Sequence, residues 1–208
     1  PVIEELNGLL FYPVQYEGEE SSKNVFYTGA APNQQAIPAT DYYLEELGIE
    51  KFALLGTDYV YPRTTNKILN QYLIDKGIPE SDIFVNYTPF GHSDWSKIVA
   101  DVVALGADGK KVGVISTING DANIGFYKEL AAAGVNAEDI PVVAFSVGEE
   151  ELSGLDTTNL VGHLAAWNYF QSAESDLNTA FIKNWKSTMG PERVTNDPME
   201  AHVIGFNM

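Results

Sequence analysis

The residues best equipped for chemistry stand together in Gly56-Thr57-Asp58-Tyr59-Val60-Tyr61-Pro62. One carboxylate and two phenols supply acceptors, hydroxyl donors and flat stacking faces. That set suits a small polar ligand better than a phosphate, which needs a cradle of backbone N–H groups. Asp58 has two readings: it caps the helix that follows, or it lines a cleft. Tyr59 and Tyr61, alternating beside Pro62, read as cleft walls in preference to packing residues.

Three more loops repeat this polar character: 88–92, 117–121 and 146–150. Asn119-Gly120-Asp121 is first a turn with a helix cap and second a ligand contact, with Ile118 beside it. Glu149-Glu150-Glu151 reads as a helix start that uses the helix dipole, and Glu149 is the member expected to face a cleft. His92 is a loop or capping residue; His163 and His202 have no evident partner.

These loops need a frame, and the apolar pattern supplies one. Strands are expected at 52–55, 83–87, 112–116, 141–145 and 160–164. Helices are expected at 38–47, 63–76, 94–105 and 122–133, with a short one at 149–153. Gly48, Gly77 and Gly134 follow three of them. Ile68, Leu69, Tyr72 and Leu73 form the apolar face of the second helix, and Ile98, Val102 and Leu105 that of the third. Alternating strands and helices predict an α/β Rossmann-like lobe with a parallel sheet. All four polar loops then leave the carboxyl edge of that sheet, where such folds bind ligands. The flanks do not continue the repeat. Two strands, at 9–12 and 25–28, surround the acidic loop 17–20, and residues 175–208 form two helices with Phe181, Ile182 and Trp185 as a stripe. They read as parts of a second lobe, and the chain as a piece of a longer protein.

Composition narrows the function. The 208 residues hold 12 basic and 29 acidic side chains, a net charge of -17, which disfavours nucleic acid and anionic membranes as partners. There is no cysteine, so disulfides, thiolate nucleophiles and cysteine metal sites are excluded. No apolar run approaches the roughly 20 residues of a membrane span. Glycine-rich phosphate loops, a Gly-x-Ser-x-Gly elbow and a His-Glu-x-x-His helix are all missing, so catalysis is not expected. His92, Ser93 and Asp94 are adjacent at a helix start and point apart, which rules out an ordered relay.

Longer motifs carry a resemblance. Phe11-Tyr12-Pro13-Val14-Gln15-Tyr16-Glu17-Gly18, Gly29-Ala30-Ala31-Pro32-Asn33-Gln34 and Asp58-Tyr59-Val60-Tyr61-Pro62-Arg63 resemble the urea and short-chain amide binding proteins of ABC transporters. Gly91-His92-Ser93-Asp94-Trp95, Ser116-Thr117-Ile118-Asn119-Gly120-Asp121, Phe145-Ser146-Val147-Gly148-Glu149-Glu150-Glu151 and Gly162-His163-Leu164-Ala165-Ala166-Trp167-Asn168-Tyr169 fit the same family. The likeness spans nearly the whole chain.

The resemblance implies a type I periplasmic-binding-protein fold, two lobes joined by crossing segments and closing on a ligand. Residues 1–36 would end the first lobe and make the first crossing. Residues 37–162 would be a complete second lobe, and 163–208 a second crossing and return. It further implies that Tyr12, Val14, Gln15, Tyr59 and Tyr61 line the pocket, with the 117–120 loop close by. Val14 and Gln15 depart from the amide sensors, and Ser21 stands where many relatives carry cysteine. The implied activity is extracytoplasmic capture of urea or a short amide for permease subunits, without cofactor or metal. A cytoplasmic amide sensor, a branched-chain amino-acid binder and an amide hydrolase are the alternatives. Urea is neutral, with four N–H donors and one carbonyl, so its site must offer mainly acceptors. Asp58 or Glu149 would take the NH₂ groups, and Asn119 or a tyrosine hydroxyl the carbonyl oxygen.

Overall fold

The computed structural model describes residues 2–153 and 155–208. The chain opens with a short helix, α1 (Val2–Glu5), followed by β1 (Leu10–Tyr12) and β2 (Val25–Tyr27). β1 and β2 pair in parallel, with Phe11 opposite Phe26 and their rings stacked at 5.2 Å. An isolated parallel pair is marginal in water, so its support must come from elsewhere in the molecule.

Next comes the repeat: α2 (Ala36–Glu45), β3 (Lys51–Thr57), α3 (Val60–Asp75), β4 (Ile83–Thr88), α4 (Ser96–Leu105), β5 (Val112–Thr117), α5 (Ala122–Ala132) and β6 (Val142–Ala144). A single helical turn, α6 (Glu149–Leu152), leads to a short edge strand, β7 (Leu164–Ala165). The five strands β3 to β7 form one sheet, ordered β4-β3-β5-β6-β7, and every neighbouring pair is parallel. The α/β parallel-sheet class expected from the pattern is what the chain adopts.

Alternation along the strands builds two cores. Phe52 and Leu54 of β3 face Tyr43 of α2 and Leu69 and Leu73 of α3. Ala53 and Leu55 face the other way, toward Val99 and Val102 of α4 and Phe126 and Leu130 of α5. Each fully buried Leu or Phe here contributes about 1.5–3 kcal/mol relative to exposure. Both faces of the sheet are therefore covered, which is why its strands read as apolar runs rather than alternating ones.

Local chemistry explains where the elements depart from expectation. α3 starts at Val60 rather than 63, because Pro62 is tolerated in a first turn whose N–H groups have no helical partner. Its buried face then includes Tyr61, Thr65 and Asn66, while Ile68 and Tyr72 are only half-buried. The strand expected at 160–164 lies later, at Leu164–Ala165. A 3₁₀ turn at Thr157–Asn159 and left-handed Gly162, with φ of 96°, turn the chain there, and Val161 between them is exposed. Strand pairing needs extended backbone, and this segment does not provide it until after Gly162.

The chain ends in α7 (Asp176–Met189) and α8 (Asp197–Asn207), capped by the side chains of Ser175 and Asn196. α8 packs on β1, and Thr28 Oγ1 donates to the Ala201 carbonyl at 3.1 Å. Phe181, Ile182 and Trp185 are half-buried, with Tyr169 edge-on to Phe181 at 5.8 Å.

Candidate functional site

Strand order creates the site. After β3 the chain steps outward to β4, then crosses back over β3 to lay down β5 on the opposite side. Between β3 and β5 the winding direction reverses, and the loops that follow them diverge to leave a crevice. Register keeps the strand ends level: Gly56 lies beside Thr117 and Thr57 beside Thr88. Gly56 is required by close approach. A Cβ there would sit 2.5 Å from Thr117 Oγ1 and 2.7 Å from the Pro62 ring. The missing side chain lets α3 start directly against β5.

Tyr59 caps α3 in extended conformation without a side-chain hydrogen bond, so the capping role considered for Asp58 is not used. Asp58 turns to solvent and accepts from Arg63 Nε at 2.6 Å, a pair that holds its carboxyl below the usual range. Tyr59 is half-buried, its ring 6.3 Å from Tyr61 and 5.1 Å from Phe90. Burial, and then the charge of Glu17, push its phenol up to about 12. Tyr61 is 3% exposed, and its hydroxyl has no hydrogen-bond partner among the described residues. Ser146 Oγ, beyond the end of β6, is buried and equally unpaired. Burial drives the Tyr61 phenol well above its ordinary range. Thr88 Oγ1, at the end of β4, is a third buried hydroxyl with no partner.

The 118–121 loop is less available. Ile118 is fully buried in the α4–α5 core, so its side chain points away from the crevice. Asn119 donates its backbone N–H to Thr57 Oγ1 at 2.9 Å and its amide to the Thr117 carbonyl at 3.0 Å. It ties β3 to β5 and is half-buried. Asp121 begins α5 without a side-chain cap bond. Glu149 lies elsewhere. Its Oε1 accepts from Ser172 N–H at 2.9 Å and Ser172 Oγ at 2.8 Å. Burial works against its charge, yet the Ser172 bonds prevail and its pKa is lowered. It borders a cavity of about 430 Å³ with Tyr127, Val147, Leu160, His163 and Phe170, on the β7 side of the sheet. That cavity is chiefly apolar, and its carboxylate is already bonded.

The N-terminal flank contributes a second wall. Tyr12 is half-buried at the end of β1, and its hydroxyl donates to Glu17 Oε2 at 2.5 Å. Gln15 is buried and donates to the Phe145 carbonyl at 2.5 Å; Gln35 donates to the same oxygen at 3.0 Å and to Ala166 at 2.6 Å. These amides fasten the flank to the end of β6. Val14 is half-buried, and its carbonyl packs under Gly29, where a Cβ would lie 2.4 Å away. Glu19 pairs with Lys67 of α3 at 2.5 Å, a further link across the same edge. The structure thus brings Tyr12, Tyr59 and Tyr61 toward one edge, makes Gln15 and Asn119 fasteners, and turns Asp58, Ile118 and Glu149 elsewhere.

Ser146, Gln35, Glu17 and Asp197 were not singled out by residue type. Asp197 is 1% exposed at the start of α8, accepts from Asn168 N–H at 2.9 Å, and is pushed up to about 6 by burial. The only signal for Glu17 and Ser146 was position: one in the loop after β1, the other just past β6. His163, read as unpartnered, accepts from the Val142 N–H at 3.1 Å, and its burial lowers its pKa. Among the described residues no cluster of three or more metal-ligating His, Cys, Asp or Glu side chains occurs. No described helix is long and apolar enough to cross a membrane.

The fold is a doubly wound parallel lobe with a polar switch point beside two flanking segments. The chain belongs to a known family of this kind: the model for the periplasmic binding protein domain matches residues 1–208. Among solved structures, the chain is similar to an R. palustris ABC transporter solute-binding protein in complex with 4-hydroxybenzoate. That match has a TM-score of 0.80 and 19% identity, and covers 100% of this chain and 55% of the other. An amino acid ABC transporter substrate-binding protein from Pseudomonas fluorescens Pf-5 gives 0.74 at 15% identity, over 98% and 54%. A leucine-binding protein from Thermotoga maritima gives 0.69 at 14%, over 90% and 52%. At these identities the likeness is one of fold. The chain spans about half the length of the structures it matches.

Proposed function

We propose that this chain forms the second lobe and hinge-crossing segments of an extracytoplasmic solute-binding protein that captures urea, or a closely related short amide, for an ABC transporter permease. Residues 1–36 end the first lobe, 37–162 make the second, and 163–208 cross back, so the crevice between β3 and β5 is one wall of the cleft. The observation that carries this reading is that two buried hydroxyls at the carboxyl edge, Tyr61 and Ser146, find no hydrogen-bond partner among the described residues. An unpaired buried hydroxyl costs about 1–3 kcal/mol. A ligand with both donors and acceptors recovers that cost on binding.

The edge also disfavours acids as ligands. A ligand carboxylate calls for a cation, and the basic side chains named at this edge are engaged: Arg63 with Asp58, lying over the Tyr87 ring at 4.6 Å, and Lys67 with Glu19. Leucine and hydroxybenzoate, named for the similar proteins above, would thus find no unengaged cation among those named on this wall. Neutral amides need none. Closure of the two lobes is the mechanical act: it removes water and makes every unpaired ligand group costly, which sets specificity.

Titration calorimetry of the full-length protein with urea, acetamide, formamide, leucine and 4-hydroxybenzoate tests the reading. Binding of urea in preference to the two acids is expected. Preference for leucine or the aromatic acid overturns it, and preference for acetamide moves the protein to the amide-sensor branch.

A further inference from the structure

We infer that Glu17 is the carboxylate that reads the ligand's N–H groups, setting preference for a ligand with two NH₂ groups over one with a single NH₂. The inference rests on the amide-binding reading above and assigns a role that Asp58 and Glu149 cannot fill. Asp58 is committed to Arg63 on the exposed side, and Glu149 to Ser172 beside a different cavity. Glu17 is half-buried and has no Lys or Arg partner within 4.0 Å among the described residues. Its neighbour Glu19 takes Lys67 instead.

Four observations place Glu17 at the crevice rather than merely in an acidic loop. Tyr12 donates to its Oε2 at 2.5 Å, which aligns the carboxylate on the flank's inner side. Gln15, two residues before Glu17, is buried and donates to the Phe145 carbonyl just past β6, and Glu19, two residues after it, pairs with Lys67 of α3, so Glu17 is held between two anchors at this edge. Tyr61, whose ring is 6.3 Å from Tyr59, supplies at the same edge a buried hydroxyl that has no partner among the described residues. The second carboxylate oxygen, Oε1, accepts no hydrogen bond from any described residue. A carboxylate offers about four acceptor positions over two oxygens, and Tyr12 occupies one.

The remaining positions fit a planar ligand that presents N–H bonds side by side. Urea offers such an edge from its two NH₂ groups, which lie either side of one carbonyl. Its oxygen, on the opposite end, points away from the carboxylate, toward hydroxyl donors such as Tyr61 or Ser146. Acetamide replaces one NH₂ with a methyl group. It then leaves an acceptor of Glu17 unpaired in a closed, dry cleft, and bonds to charged groups are the strongest of this kind.

The test uses the full-length protein in three forms: wild type, Glu17→Gln and Glu17→Asp. Titration calorimetry with urea and with acetamide gives the affinity ratio for each. Glu17→Gln keeps shape but replaces one acceptor with an NH₂ donor, so urea binding is expected to weaken ten- to a hundredfold and the preference over acetamide to shrink toward one. Glu17→Asp keeps the charge at shorter reach and is expected to retain most of the preference, which guards against a simple folding defect; matched melting curves check the same point. Unchanged urea affinity and an unchanged ratio in Glu17→Gln would show that Glu17 only orients Tyr12, overturning the inference while leaving the amide reading intact. Wild-type protein that binds neither ligand overturns both together.

Discussion

On the proposed reading, Tyr61 is where stability and ligand binding pull in opposite directions. Its hydroxyl is buried with no partner among the described residues, so the phenol oxygen costs stability. Tyr61→Phe should therefore leave the melting temperature unchanged or raise stability by about 1 kcal/mol, while weakening urea binding by roughly 5- to 30-fold, equivalent to about 1–2 kcal/mol. Melting curves and calorimetry on the same preparation separate the two effects; loss of stability with intact binding would make the residue a packing element only. Asp58 gives the contrasting case. It and Arg63 are both about half exposed, and water screens such pairs. Asp58→Asn should leave both melting temperature and ligand affinity as they are, and a large drop in affinity would return Asp58 to the cleft.

At the scale of elements, the approach of α3 to the sheet fixes the position of both tyrosines. A methyl group on Gly56 would collide with Thr117 Oγ1 at 2.5 Å and with Pro62 at 2.7 Å. Gly56→Ala should cost about 1–3 kcal/mol by overpacking and loosen ligand binding, read by denaturant unfolding and titration. α8 docks through another buried group. Asp197 carries a pKa near 6 in the folded chain, above its ordinary value. A raised carboxyl favours the protonated form when folded, so its cost is fully present above pH 6 and is relieved as the pH falls toward 4. Relative to Asp197→Asn, the wild type should gain stability between pH 7 and pH 4, by up to about 3 kcal/mol. His163 acts in the opposite sense, since burial lowers its pKa and protonation below about 6.5 costs stability. It is common to both proteins and cancels in the difference. A difference that stays flat across that range would mean that Asp197 is already neutral at pH 7 or never desolvated.

Legibility also divides at this scale. The α/β repeat could be read because strands covered on both faces, such as Phe52 to Leu55, give unbroken apolar runs, and helices such as α3 show a 3.6-residue stripe. The edge strand could not, because two residues of β7 leave too short a pattern and the turn ends only at Gly162. The polar edge was legible as a location, since all four loops follow strands. Individual roles were not. Where a carboxylate points depends on a partner that its own neighbours in sequence do not reveal: Ser172 for Glu149, Tyr12 for Glu17. Nothing in the local spelling of Ile118 shows that its side chain turns into the α4–α5 core while its neighbour Asn119 stays half-buried.

For the molecule as a whole, the flanks are fastened to the sheet by a few named bonds. Gln15, Gln35 and the Glu19–Lys67 pair hold the 1–36 segment over the carboxyl edge of the sheet, and Asp197 ties α8 to the crossing segment at Asn168. On the proposed two-lobe reading, closure would strain or release these few bonds. The apolar surface of the flanks, including Leu177 and Phe206, has no cover among the described residues and is of the kind that drives association. The central claim is that a neutral amide lies at the β3–β5 crevice beneath that roof. A crystal structure of the full-length protein grown with urea tests it most directly. The account predicts urea within hydrogen-bond distance of the Tyr61 hydroxyl, between the ends of β3 and β6 and the 12–17 segment. Urea seated instead in the cavity beside Glu149 and His163, or a charged acid occupying the crevice in its place, would contradict it.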